Sequence, residues 1–233
     1  LKAEGIQGLV LDLRDNGGGS LPAVVDMAGL FIENGPVVQV RSTGEPKQVL
    51  EDRDRSITWD GPLVILVNEL SASASEIMAA AMQDYKRAII IGSKQTYGKG
   101  TVQNVIDLNG WVRNNTNGDL GALALTTQKY YRISGGSVQL EGVKSDVVVP
   151  GKFSFIDVGE KDKENALPWD EIDSAKYSTW SNYFDYAAAI KNSNERMNNN
   201  HQLSLIEENA QWVKSKIDEK SVPLNYDKYK YEL

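Results

Sequence analysis

The chain has no cysteine and a single histidine. Without cysteine there is neither a disulfide framework nor a cysteine zinc ribbon, and no redox compartment is selected. One histidine excludes zinc sites built on histidine pairs. It also leaves a Ser–His–Asp triad a single candidate, His201, beside Asn198-Asn199-Asn200 in a late polar segment; that position predicts a solvent-facing side chain. No apolar stretch approaches the roughly 20 residues of a membrane helix, and no signal peptide is visible at Leu1. Basic charge is short as well: the net charge of −7 gives no support for nucleic acid as the main partner. An initial methionine is missing and structured-looking sequence starts at once, which reads as a fragment lacking its N-terminal part. What remains is ordinary globular composition, 41% apolar and 24% charged over 233 residues, enough for one core and an appendage.

The most informative stretch is residues 62–103. Leu63 to Val67 is an apolar run of the right length for a buried strand. Ser71-Ala72-Ser73-Ala74-Ser75-Glu76 follows, with Ser73 and Glu76 at capping-box spacing, so a helix should start near Ser73 and run through the alanine-rich segment. Ala88 to Ile91 predicts a second strand, followed by Gly98-Lys99-Gly100. Upstream, Gly8 to Arg14 reads as a strand, Asp15 to Ser20 as a glycine turn, Leu21 to Ile32 as a helix and Val37 to Arg41 as a strand. That order implies a right-handed parallel crossover. Alternation of this kind predicts an α/β layered domain.

Residues 42–60 read as a surface excursion and 109–120 as a loop. Val102–Leu108 and Leu123–Ile133 read as strands, Ser134–Ser137 as a hairpin turn, Val138–Leu140 as its return strand, and Val147–Val149 as a closing strand. Composition shifts after Pro150. Residues 157–176 look irregular, and 182–217 carry helical patterns that include Tyr183, interrupted by a hinge or loop at Asn192–Asn200. The tail from Pro223 to Tyr231 reads as extended.

With histidine displaced, a hydrolase here needs another base, and lysine can serve when it is dry and not ion-paired. Ser73 as nucleophile and Lys99 as base form such a pair; the bland alternatives are an ordinary N-cap serine and a surface lysine in a glycine turn. A serine at a strand-to-helix turn has helix N–H groups beside it. Ala74 N–H is the natural oxyanion donor, and a second could come from Gly17-Gly18-Gly19 if the two turns sit side by side. Nucleotide binding fits poorly. The first glycine turn lacks the spaced dinucleotide fingerprint, and Gly92–Gly98 has five intervening residues where a P-loop has four, with Gly100 in place of the magnesium-binding Ser or Thr.

Beyond these patterns, SASASEIMAAAMQDYKRAIIIGSKQTYGKGTVQ resembles the signature of the carboxyl-terminal processing, or tail-specific, proteases. GLVLDLRDNGGGSLPAVVDMAGLFIENGPVVQV is similar to the glycine turn of that family, TTQKYYRISGGSVQLEGVKSDVVVP to its hairpin and closing strand, and ENALPWDEID to its periplasmic branch. The resemblance implies a Ser–Lys endopeptidase on a crotonase/ClpP-like α/β core, residues 1–155, with a mainly helical C-terminal extension, residues 156–233. It implies Ser73 as nucleophile, Lys99 as base and Gln103 orienting that lysine. For the oxyanion hole it implies Ala74 with Gly18 or Gly19. Asp84 matches a family position linked to activity and reads as a supporting or structural residue, since a carboxylate on Lys99 would hold the amine protonated.

The resemblance also implies protein or peptide substrates, no cofactor or metal, and a possible adaptor protein. It implies a periplasmic or cell-envelope location, with membrane association only through parts outside the chain. Two departures stand out: the turn at Gly92–Thr96 is one residue longer than the family pattern, and nothing resembles the PDZ domain that precedes the protease core. A complete dyad with weak or absent activity in the isolated fragment is therefore expected. The rival classes are an acyl-CoA-handling enzyme of related fold and a catalytically silent binding or scaffold protein.

Overall fold

The computed structural model describes residues 2–112, 115, 116, 118–180 and 184–232. Two four-stranded sheets organise it. The first is parallel: β1 (Leu9–Asp12), β4 (Leu63–Val67), β5 (Ile89–Gly92) and β8 (Val147–Val148) lie side by side in that order. The second is antiparallel, in the order β3 (Gln48–Asp52), β2 (Gly35–Ser42), β7 (Ala122–Tyr131) and β6 (Thr101–Asp107).

Helix α1 (Leu21–Gly29) starts from Ser20, whose hydroxyl caps Ala23 N–H, with Pro22 harmless in the first turn. Helix α2 (Ala74–Asp84) packs against α1, β2 and β5, and every residue from Ala74 to Met82 is buried. A helix without a solvent face needs small residues where its neighbours come close, and Ala79-Ala80-Ala81 supplies them. Arg87, just beyond α2, is also fully buried. Its guanidinium donates to the carbonyls of Phe31 (2.8 Å) and Trp59 (2.6 Å) and lies over the Trp180 ring, joining three distant segments.

Several expectations need correction. β1 and β2 are not a parallel pair: β1 pairs with β4, and β2 belongs to the other sheet, with antiparallel partners on both sides. Alternation along the chain cannot say which sheet a strand joins. The surface excursion at 42–60 contains β3, whose ladder lies along β2. Val138–Leu140 forms no strand: Leu140 has φ +66°, and its N–H bonds to Gly98 O at 2.9 Å rather than extending a hairpin.

The Asn-rich segment is helical as far as Asn198, within α3 (Tyr186–Asn198). Asn192, Asn194 and Asn198 lie on its exposed face, while Tyr186, Ile190, Ser193 and Met197 make the inward stripe. Asp185 caps this helix, and Tyr186 ties it to the core through Asp146 (2.6 Å). The chain breaks only at Asn199-Asn200, where Asn200 caps α4 (His201–Asp218). The tail is not extended: Asn225 accepts from Lys228 N–H and α5 (Tyr226–Glu232) follows. Tyr183 and residues 113, 114 and 117 of the expected loop lie outside the described residues.

Replacing Arg87 with alanine should strand two buried carbonyls and open a cavity. A stability loss of about 3 kcal/mol or more is expected, read as a lower urea midpoint.

Candidate active site

Two strand-to-helix turns lie next to each other because β1 and β4 are parallel neighbours, with Asp12 opposite Leu66. Asn16 joins the turns. Its carbonyl accepts from Ala72 N–H (3.0 Å) and from Ser75 Oγ (3.0 Å), while its side-chain oxygen accepts from Gly18 N–H (2.9 Å). Asn68 and Asp15 add a reciprocal pair of bonds, at 2.9 and 2.8 Å.

The three serines of the Ser-Ala-Ser-Ala-Ser segment thereby separate. Ser71 is fully buried and donates to Leu13 O (2.7 Å); Ser75 donates to Asn16 O. Ser73 is half-buried at the turn and has φ +57°, ψ −116°. A non-glycine residue with positive φ outside the left-handed helical well costs on the order of 1–3 kcal/mol and persists only where its surroundings hold it.

Glu76 does much of that holding. It is fully buried one turn into α2. Its carboxylate accepts from Ser73 N–H (2.8 Å), Thr96 Oγ1 (2.6 Å), Gly98 N–H (2.7 Å) and Lys99 N–H (3.0 Å). Burial pushes its pKa up, opposed by these same hydrogen bonds. One side chain therefore fastens the Ser73 turn to the Lys99 loop. The Tyr130 hydroxyl meets the same two residues from the other side, at Ser73 O (3.2 Å) and at Lys99 O.

The loop around Lys99 is close-packed. Gly98 has φ +87°, and a Cβ there would lie 2.9 Å from Leu140 C. Gly100 donates to the buried Gln139 Oε1 (2.8 Å), and a Cβ on it would meet Gln139 N at 2.7 Å. Tyr97 N–H bonds to Ser71 O (3.0 Å) and Thr96 N–H to Val143 O (3.1 Å). Lys94 is exposed between the buried Ser93 and the half-buried Gln95. Lys99 itself is half-buried, and among the described residues no carboxylate forms an ion pair with it.

Gly18 has φ +100° and touches the Ser73 turn: a Cβ there would fall 2.6 Å from Ala72 O and 2.8 Å from both Ala74 N and Ser73 Cβ. Its own N–H is committed to Asn16, so of the two glycines Gly19 has the amide left to pair with Ala74 N–H, which has no intrahelical acceptor. A cavity of about 120 Å³ adjoins these amides, lined by Gly18, Gly19, Val24, Met27, Ala74 and Met78 among others. Larger cavities of about 430 Å³ lie elsewhere, one between Ile32–Pro36 and Lys176–Trp180, and touch none of the residues assigned to the chemistry.

Two expected residues are placed away from the lysine. Gln103 is exposed on β6, just past a register shift at Val102/Gln103, and no hydrogen bond joins it to Lys99. Asp84 sits at the far end of α2, with its carboxylate on Arg132 (2.6 and 3.2 Å) and Ser134 Oγ (3.1 Å). His201 is exposed at the start of α4. Sequence reading missed Tyr130, Gln139 and Asn16, and took Glu76 for a capping residue alone. The available signal for Glu76 was an acid directly preceding the apolar run Ile77 to Met82.

The site belongs to a class with a strained serine at a strand-to-helix turn, hydrogen-bonded across to a lysine loop, in a mixed α/β fold. Residues 1–149 match the description of peptidase family S41, and residues 153–233 match the C-terminal domain of tail specific protease. The chain belongs to peptidase family S41. It is 42% identical to the tail-specific protease of Haemophilus influenzae, over all of this chain and 34% of that protein. It is 37% identical to the chloroplastic C-terminal processing peptidase of Tetradesmus obliquus, over 63% of this chain and 30% of that protein. Among solved structures, the photosystem II D1 C-terminal processing protease superposes with a TM-score of 0.55 at 36% identity, covering 64% of this chain and 36% of that one. The chain thus spans about a third of the length of these relatives.

Replacing Glu76 with alanine leaves three amides and a hydroxyl without their buried acceptor. At about 1–3 kcal/mol per stranded group, a loss on the order of 3 kcal/mol or more is expected in urea denaturation, with Glu76→Gln milder. Gly18→Ala should distort the turn directly and abolish reaction with a serine-directed probe.

Proposed function

We propose that this chain carries the catalytic dyad of a serine endopeptidase of the carboxyl-terminal processing type, with Ser73 as nucleophile and Lys99 as base. The observation that supports this most is the hydrogen-bonded clamp across Glu76 and Tyr130 that joins a strained serine to a lysine free of carboxylate partners. An amine acts as base in its neutral form.

In this reading Lys99 takes the proton from Ser73 Oγ as the oxygen attacks a peptide carbonyl. Ala74 N–H and Gly19 N–H receive the developing oxyanion. The protonated amine then gives its proton to the departing amino group. Water, deprotonated by the same lysine, releases the acyl group from Ser73. The small cavity beside the two amides takes a substrate side chain. Gln103 makes no hydrogen bond to Lys99 here, and the backbone of the lysine's loop carries the amine's placement. Asp84 acts through Arg132 at the far end of the helix and never touches the amine.

Substrates are unfolded or C-terminally tagged proteins lying extended along a sheet edge. A periplasmic or cell-envelope setting suits the Haemophilus relative; no helix of the described residues is long and apolar enough to cross a membrane. Residues 1–155 form the protease core and 156–233 the extension in this reading. An adaptor protein and membrane association through other parts of the polypeptide remain part of the proposal.

In the complete polypeptide, Ser73→Ala and Lys99→Ala should each abolish peptide cleavage; cleavage retained in either would sink the dyad. Activity should be indifferent to His201→Ala, since that side chain is exposed at the start of α4. Cleavage lost in His201→Ala would move the base to that histidine.

A further inference from the structure

Two buried side chains of opposite hydrogen-bonding polarity each reach both residues of the dyad. Glu76, an acceptor, holds the N–H groups of Ser73 and Lys99. The Tyr130 hydroxyl, a donor, lies against the carbonyls of the same two residues. We propose that Tyr130 is a positioning residue for peptide hydrolysis: its hydroxyl holds the Ser73 and Lys99 carbonyls together and so sets the reach of the lysine amine to the serine hydroxyl. The inference rests on the Ser73–Lys99 reading.

The phenol is well placed for this role. Tyr130 sits near the end of β7, paired with Val40 of β2, and its own N–H bonds to Gly100 O at 3.0 Å. Its ring is fixed in the core with 2% of the residue exposed. Its hydroxyl has one proton, with both carbonyls and the Glu76 carboxylate within its reach. Ser73 O also accepts from the N–H groups of Glu76 and Ile77 and stays paired whatever the loop does, so the phenol's hold falls on Lys99 O. A hydroxyl whose ring is fixed in the core thereby limits movement of the lysine loop away from the helix-bound Ser73 carbonyl. Burial, and secondarily the charge of Glu76, push the phenol's pKa well above its ordinary value, so the group stays a donor across the working range. The adjacent Tyr131 has no such role, for its hydroxyl reaches Asp170 (3.0 Å), away from the dyad.

Displacement of a reacting group by about 1 Å costs on the order of 100-fold in rate. Tyr130→Phe removes only the hydroxyl. In the complete polypeptide it should lower kcat by about 10- to 100-fold and leave KM within about twofold. A fluorophosphonate probe separates positioning from folding. The number of sites labelled counts folded molecules, while the rate constant of labelling reports the geometry of each.

The expected result is an unchanged number of sites reacting about 10- to 100-fold more slowly, with parental rates restored by a fluorinated tyrosine that keeps the hydroxyl. Fewer sites reacting at the parental rate would make Tyr130 a packing residue and overturn the proposal. So would a raised KM with unchanged kcat, or a fluorinated tyrosine as slow as phenylalanine. Ser73→Ala is the control for the underlying reading. If labelling persists in Ser73→Ala, the nucleophile assignment fails; if it vanishes there while Tyr130→Phe reacts at the parental rate, only the positioning role fails.

Discussion

A carboxylate buried without water is tolerable only when hydrogen bonds replace its hydration, and Glu76 has four donors doing so. That requirement shapes everything near it. Helix α2 has no solvent face to which the acid could turn, so the donors must come to the acid. They come from a strand-to-helix turn and from a loop more than twenty residues further along the chain. The unfavourable backbone of Ser73 is held by this bond from one side and by its attachment to the helix from the other. A hydrophobic isostere at this position would pack as well and would leave both loops unanchored.

The candidate site is assembled from both sheets. The parallel sheet presents two adjacent turns, one from β1 and one from β4, stitched together by Asn16, Asn68 and the outer serines. The antiparallel sheet sends in the inner end of β7, bearing Tyr130. The lysine loop lies between them and runs straight into β6. Gly98 and Gly100 are explained by this crowding, since the backbone of 139–140 passes where a side chain on either would stand.

How much of this was legible beforehand follows the range of the interactions involved. The β4–α2–β5 unit was readable almost residue for residue, because an apolar run, a capping box and an alanine-rich helix are local signals. The assignment of β2 to a second sheet was not, since strand pairing is decided by residues 48–52 and 128–131. Asparagine-rich sequence was misread as a break because low helix propensity was weighed without the inward stripe that overrides it. At the site, Ser73, Lys99 and the Gly18 turn lay within recognisable motifs. Glu76 was visible only in its local role, and Tyr130 carried no local signal, because its contacts join residues far apart in sequence. Gln103 lies just past a register shift in the β6–β7 pairing, which the local sequence does not signal.

The alternating Ser-Ala segment poses an indexing problem. A repeat of two residues looks the same to the backbone when it slips by two, and such a slip would deliver Ser71 or Ser75 to the bend in place of Ser73. The hydrogen bonds made by the outer serines break that degeneracy. Ser71 bonds to Leu13 O and Asn68 N–H and Ser75 bonds to Asn16 O, so a slip by two in either direction loses one of these side-chain hydrogen bonds. The flanking serines thus act as fiducial marks: a segment with three equivalent hydroxyls folds with only one address for the serine at the bend.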